Sequence, residues 1–226
     1  MKYHLVSLIF PLYQGLHFTD DVLNQIGAEN CSYLSLHVGA GTFKPVMVKD
    51  ARDHDMHAEA FVVSVRELRS IIAALKNDKP LIVVGTTSSR TLESLFWCGV
   101  KRIRGLDEGS NELVLGQFDW VPMKVGEGRN VSRTSAFEAL VDGLDDDDFL
   151  RGKTSLMIAP PYQFKVVDHL VTNFHAPDST LMLLVSAFIK DAEGSKIPQI
   201  YHEAQENGYR FLSYGDVCMF SKPGLK

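Results

Sequence analysis

Cysteine is scarce and unpatterned in this 226-residue chain: Cys31, Cys98 and Cys218 are odd in number and widely spaced. That excludes a disulfide mini-scaffold and, with no Cys-x-x-Cys pair, a cysteine zinc or dithiol redox motif, and it points to reduced thiols. No apolar run reaches the roughly 18 residues of a membrane span, and the apolar start at residues 5–12 lacks a small-residue cleavage signal. Positive charge is not in excess either. The 23 Lys+Arg against 28 Asp+Glu leave −5, which speaks against non-specific nucleic-acid binding and confines any RNA contact to a local basic patch. Internal repeats and low-complexity linkers are missing. What is present is a 45% hydrophobic composition spread along the chain, enough to bury a sizeable core and to exclude disorder. The expectation is a cytoplasmic single domain over residues 1–226, with an excursion at about 100–133.

The hydrophobic pattern predicts α/β organisation. Thr19 can cap a short helix through Ile26, and residues 32–38 alternate as a half-buried strand does. A strand at 61–63 leads into Ser64-Val65-Arg66-Glu67, a capping box ahead of a helix with Leu68, Ile71, Ile72 and Leu75 on one face. Residues 81–84 read as a buried strand, and 87–98 as a helix stopped by Gly99. Ser135 can cap another helix, which runs into Asp145, Asp146, Asp147 and Asp148, a solvated turn. Strands are expected at 155–159 and 164–167, an apolar helix capped by Asp178 at 179–189, an amphipathic helix at 198–207, and strands at 209–213 and 217–220.

Several clusters carry chemistry. Gly39-Ala40-Gly41-Thr42 follows a strand and would let backbone N–H groups approach a ligand, or is a tight turn. His54-Asp55-Met56-His57-Ala58-Glu59 offers two imidazoles and a carboxylate, which suits a metal site, a polar active-site strip or an exposed loop. Residues 85–90 lie between a buried strand and a helix N-terminus, where free N–H groups suit a carboxylate or phosphate, although hydroxyl-rich caps are common. Thr172-Asn173-Phe174-His175 leads polar side chains into an apolar helix, as a hydrogen-bonded corner or for substrate positioning and proton transfer. Tyr209-Arg210-Phe211 and Tyr214-Gly215-Asp216 could hold a purine-like base by stacking and edge hydrogen bonds. Lys101, Arg102, Arg104, Lys124, Arg129 and Arg133 form a basic concentration that could meet RNA phosphates or be simply solvated.

Taken in order, GLHFT (residues 15–19), LHVGAGTFKPV (36–46), HDMHAE (54–59), VGTTSSRTLES (84–94), VVDHLVTNFHAPDSTLMLLVSAF (166–188) and YRFLSYGD (209–216) resemble the signatures of the S-adenosylmethionine:tRNA ribosyltransferase-isomerase family of queuosine biosynthesis. The resemblance implies a mixed-sheet, barrel-like α/β core, here incomplete at the N-terminus. It implies transfer and isomerisation of the ribosyl part of S-adenosylmethionine onto 7-aminomethyl-7-deazaguanine in tRNA, giving epoxyqueuosine with release of adenine and methionine. S-adenosylmethionine is then a consumed co-substrate, with no resident cofactor and no metal. Because the sulfonium acidifies the ribose 5′ carbon, a base must take a proton there and donors must assist adenine departure.

Motif membership and chemical type make His175, His57 and Asp216 the leading acid/base candidates, with Asn173 and Glu59 also in catalytic roles. His37, Gly39, Gly41, Thr42, Phe43, Gly85, Thr86, Thr87, Ser88, Arg90, Thr172, Ser179, Thr180, Arg210 and Tyr214 are the candidate binding residues. The sequence departs from the family at Leu12-Tyr13-Gln14-Gly15, where Pro-Thr-Ala-Gly is usual, and at Pro161, where Gly is usual. The resemblance also implies further N-terminal strands and a small β-barrel domain, so self-association or a partner supplying that portion is expected. The alternatives are a paralogue that binds S-adenosylmethionine or RNA without turnover, and a metal-dependent hydrolase centred on His54, His57 and Glu59.

Overall fold

The computed structural model describes residues 4–8, 17–37, 56–107, 112–121, 131–176, 179–190, 196–212, 215–222 and 224. They form the strands β1 (His4–Leu8), β2 (Cys31–His37), β3 (Glu59–Ser64), β4 (Leu81–Val84), β5 (Glu112–Leu115), β6 (Phe149–Thr154), β7 (His169–Asn173) and β8 (Val217–Ser221). The helices are α1 (Asp20–Ile26), α2 (Val65–Lys76), α3 (Thr86–Ile103), α4 (Arg133–Val141), α5 (Thr180–Phe188) and α6 (Lys196–Glu206). All strands join one mixed sheet in the order β5-β6-β3-β2-β1-β4-β7-β8. The α/β class and mixed sheet are as expected. Among the described residues no pairing of β5 with β8 closes it into a barrel.

Period-two alternation sends side chains to both faces of the sheet. Val6, Leu34, Val83 and Leu170 enter the main core with Leu68, Ile71, Leu92, Leu95, Phe137 and Leu140 from α2, α3 and α4. Leu5, Cys31, Val84 and Val171 form a smaller cluster on the other face, beneath Phe18 and the α1 residues Leu23 and Ile26. The six buried residues of α2 show why a strongly one-sided sequence folds here, since each large apolar side chain contributes about 1.5–3 kcal/mol on burial. Ser64 caps that helix through its Oγ, which accepts from the Glu67 N–H at 3.2 Å. Glu67 does not complete the box; its carboxylate accepts from the Tyr33 N–H at 2.9 Å and so ties α2 to β2.

Five expectations need correction. α3 does not stop at Gly99 but continues to Ile103. A Cβ at Gly99 would collide with the Ala136 carbonyl oxygen, so this glycine serves the close crossing of α3 and α4. The cap of α4 is Ser132, whose Oγ accepts from the Ser135 N–H at 2.9 Å. The strand expected at 155–159 is displaced to β6, and the one at 164–167 to β7. In 164–167 the N–H groups of Lys165, Val166 and Val167 are taken by the buried Glu93 carboxylate at 2.8 to 3.2 Å, which leaves them nothing to offer a ladder. Residues 209–212 are a clasped loop, not a strand.

Candidate active site

The strand directions decide where the motifs meet. β1, β2, β4 and β7 are parallel, β3 is antiparallel to β2 and to β6, and β8 is antiparallel to β7. The ends of β2, β4, β6 and β7 and the starts of β3 and β8 therefore share one rim. His37, Glu59, Gly85, Thr172, Asn173 and Asp216 stand at that rim although up to 179 positions separate them in the chain. This is where open α/β sheets bind ligands, outside the carboxyl ends of their strands. Gly85 makes the turn from β4 into α3 with φ at 91°, a backbone conformation that favours glycine.

A shallow pocket with a cavity volume of about 20 Å³ lies at this rim. Thr86, Thr87 and Arg90 of α3 and Thr180 of α5 supply its polar wall, and Met56, Leu156, Met157, Ile158, Leu181 and Leu184 supply apolar surface. Two helix N-termini converge on it, so free N–H groups and the positive dipole ends suit a carboxylate or another anion. Arg90 is spent on Glu59: the two form a buried ion pair, and burial lowers the guanidinium only to about 10, so it stays charged. The Ser88 hydroxyl donates to the Val84 carbonyl at 2.6 Å and that of Ser179 to the Ala176 carbonyl at 3.0 Å, so both serve the backbone of their turns.

His175 and Thr172 meet directly. The imidazole Nε2 is 2.8 Å from Thr172 Oγ1, and the His175 N–H donates to the Tyr201 hydroxyl at 3.0 Å. Burial lowers the imidazole to about 4, so it is neutral at neutral pH. Asp216 holds a different structure, accepting from the Arg210 N–H at 2.7 Å with the Arg210 guanidinium 3.6 Å away. That backbone hydrogen bond first, then the guanidinium, keeps its carboxyl below the usual range. Asn173 closes the same loop by donating to the Leu212 carbonyl at 3.1 Å. His57 is exposed two residues before Glu59. The side chain of His37 and the residues Gly39, Gly41, Thr42, Phe43 and Tyr214 lie outside the described residues, as do Leu12, Tyr13, Gln14 and Gly15.

The structure adds residues that the sequence did not single out. Glu93 is fully buried and accepts from the Tyr162 hydroxyl at 2.7 Å as well as from the three N–H groups of 165–167, while Trp97 Nε1 donates to Tyr162 at 2.8 Å. This clasp fixes the chain just beyond the pocket wall at 156–158, and Pro161 enters it through a cis peptide after Pro160. Gln117 accepts from the Met56 N–H at 3.2 Å and holds the pocket's edge. The only sequence signal for Glu93 was its place inside a recognised motif.

Among the described residues, three members of the basic concentration have acidic or carbonyl partners of their own. Lys101 binds the Val114 carbonyl and Asp119, Arg102 binds Asp107, and Arg133 binds Asp168. Lys124 and Arg129 lie outside the described residues. Among the described residues no group of three His, Cys, Asp or Glu side chains could hold a metal ion; of the hydrolase alternative, His54 lies outside the described residues, and Glu59 is paired with Arg90.

Comparison with known proteins decides the family, because the sequence profile described as queuosine biosynthesis protein matches residues 11–220. The chain belongs to the queuosine biosynthesis protein family. Relatives in this family include the S-adenosylmethionine:tRNA ribosyltransferase-isomerases of Legionella pneumophila strain Corby, 38% identical over 207 residues, and of Thermosipho melanesiensis, 34% identical over 206 residues. The alignments cover 91% and 90% of this chain and 47% of each relative, so the chain spans about half the length of the curated relatives it matches. The crystal structure of S-adenosylmethionine tRNA ribosyltransferase from Thermotoga maritima is similar with a TM-score of 0.54 at 26% identity, covering 92% of this chain and 51% of that one. The α/β sheet described above is thus a queuosine biosynthesis family fold. Among the described residues no helix is long and apolar enough to cross a membrane.

Proposed function

We propose that the chain acts in tRNA queuosine modification, transferring and isomerising the ribosyl part of S-adenosylmethionine onto 7-aminomethyl-7-deazaguanine in tRNA, with release of adenine and methionine. The observation that carries this reading is the single rim shared by family motifs from residues 37 to 216, three of which, 54–59, 84–94 and 166–188, line one pocket. The N-termini of α3 and α5 suit the carboxylate of the methionyl part, and the apolar wall of Met157, Ile158 and Leu184 suits its thioether-like chain. His57 and Asp216 remain exposed or half-exposed at the rim and can handle protons, while Thr172 and Asn173 position the loops around them. S-adenosylmethionine is consumed, and no resident cofactor is invoked.

The reading includes a cytoplasmic setting and contact with a further chain. β5 and β8 are the outer strands, and each exposes an apolar residue, Val114 and Met219, beside an edge with no further strand among the described residues, an arrangement that favours strand pairing between molecules. Size-exclusion chromatography that returns a monomer at high concentration removes this part.

The deciding experiment is adenine release from S-adenosylmethionine by the purified chain, with and without tRNA carrying 7-aminomethyl-7-deazaguanine, followed by mass spectrometry of the nucleosides. Adenine plus epoxyqueuosine is the expected result. Binding of S-adenosylmethionine by folded protein without any product would replace the reading with that of a binding paralogue.

A further inference from the structure

The GLHFT motif carries a histidine, His17, outside the catalytic and binding candidates above. In the structure, Phe18 packs in the smaller cluster together with Val217 and Val171. Phe18 follows His17 and Val217 follows Asp216, so this packing draws His17 and Asp216 to the same corner of the rim. The imidazole charge of His17 is among the influences felt by the Asp216 carboxylate, after those of Arg210. His17 Nε2 is buried and has no hydrogen-bond partner among the described residues. A buried ring nitrogen left unpaired is costly unless something outside the chain meets it. His175, by contrast, has Nε2 committed to Thr172 and its ring kept neutral by burial, and Glu59 is committed to Arg90. Among the described residues, His17 is thus the rim imidazole that combines an unpaired nitrogen with a nearby carboxylate.

We propose that His17, with Asp216 as its charge-balancing neighbour, is the proton acceptor of this site, acting on the 5′ carbon of a sulfonium nucleoside. The inference rests on the ribosyl-transfer reading above. In the step, the 5′ C–H bond breaks, the proton passes to His17 Nε2, and the electron pair stays on the carbon beside the positively charged sulfur. Asp216 then faces an imidazolium, which its negative charge stabilises. His175 becomes a positioning residue that orders the turn after β7.

The test uses His17→Ala, His175→Ala, Asp216→Asn and the double variant His17→Ala/Asp216→Asn, each checked for an unchanged circular dichroism spectrum. Single-turnover adenine release with S-adenosylmethionine and substrate tRNA should fall by about 100-fold or more in His17→Ala, and added imidazole should restore at least about 10-fold of it by entering the vacated space, a rescue that a merely structural loss would not show. The double variant should be no slower than His17→Ala alone, because a coupled pair is not additive. Release within about threefold of wild type in His17→Ala, a loss without imidazole rescue, or fully additive losses would each overturn the proposal. If His17→Ala is unfolded, His17→Gln takes its place in the rate comparison, and rates equal to wild type overturn the proposal in the same way. A wild-type chain that releases no adenine overturns the ribosyl-transfer reading and this step with it, whereas wild-type release indifferent to His17 overturns the step alone.

Discussion

The two rims of the sheet treat charge in different ways. At the rim where β4, β6 and β7 begin, charged groups satisfy one another: the buried Asp168 accepts from the Leu81 N–H at 2.9 Å and from Arg133 at 2.6 Å, and its own carbonyl accepts from the Lys222 N–H at 2.9 Å. Arg66 and Arg69 meet Asp147 and Asp146 on the same side. At the opposite rim the Arg90–Glu59 pair is closed, but His17 Nε2 is unpartnered among the described residues, and helix N-termini and threonine hydroxyls face a pocket. One rim spends its polar groups on holding strands together. The other keeps several in reserve, which is what ligand binding requires and what stability alone would not select.

The largest effect is expected from Asp168→Ala, which leaves the Leu81 N–H without its acceptor and Arg133 with only the Val166 carbonyl and no countercharge, and should cost about 3–5 kcal/mol in a denaturant titration. S-adenosylmethionine affinity, measured by calorimetry where the variant is folded, should stay within about threefold of wild type. A collapse of affinity in the folded variant would break the division between rims.

Acid offers the next test, with one buried histidine at each rim. His4, lowered to about 4 by burial and then by Lys79, and His175, lowered to about 4 by burial, bind protons more readily when unfolded. Each therefore contributes stability that is present above the unfolded value near 6.5 and lost as pH falls from there to about 4, up to about 3 kcal/mol per histidine. His4→Gln and His175→Gln should each flatten the stability profile across that window, and an unchanged profile would contradict the burial argument.

Thr180→Ala should lower stability by less than about 1 kcal/mol, because the hydroxyl lines a pocket and caps nothing, yet weaken S-adenosylmethionine binding about tenfold by removing a hydrogen-bonding group from its wall. Arg66→Ala should do least. Its pair with Asp147 is solvent-exposed on both sides, so the expected change is within about 0.5 kcal/mol with no effect on ligand binding.

Much of the local structure was legible because its causes are local. Thr19 and Ser64 announced α1 and α2 by cap chemistry within four residues, and the apolar stripe of α2 marked its buried face. The misreadings share a different cause. Residues 164–167 look like a strand until Glu93, some 70 positions away, claims their N–H groups, and Gly99 looks like a helix stop until Ala136 is seen against it. In the site, residue type and motif order pointed to Thr172, His175, Thr180 and Asp216. The sequence could not show that Arg90 and Glu59 neutralise each other, because that depends on strand order, or that His175 is tied to Thr172, because that depends on the turn after β7.

Strand order also sets a timetable. β4 lies between β1 and β7, and β7 pairs in turn with β8, so a chain emerging from the ribosome holds His17, Glu59 and Arg90 long before Asp216 arrives. Of the described strands β8 joins last in chain order, and the rim gains its half-exposed carboxylate only when residues 216–221 are released. Slow, long-range pairing of this kind leaves the β7 edge open during synthesis. A nascent chain can therefore possess most of the pocket and still be unable to close the corner where His17 waits.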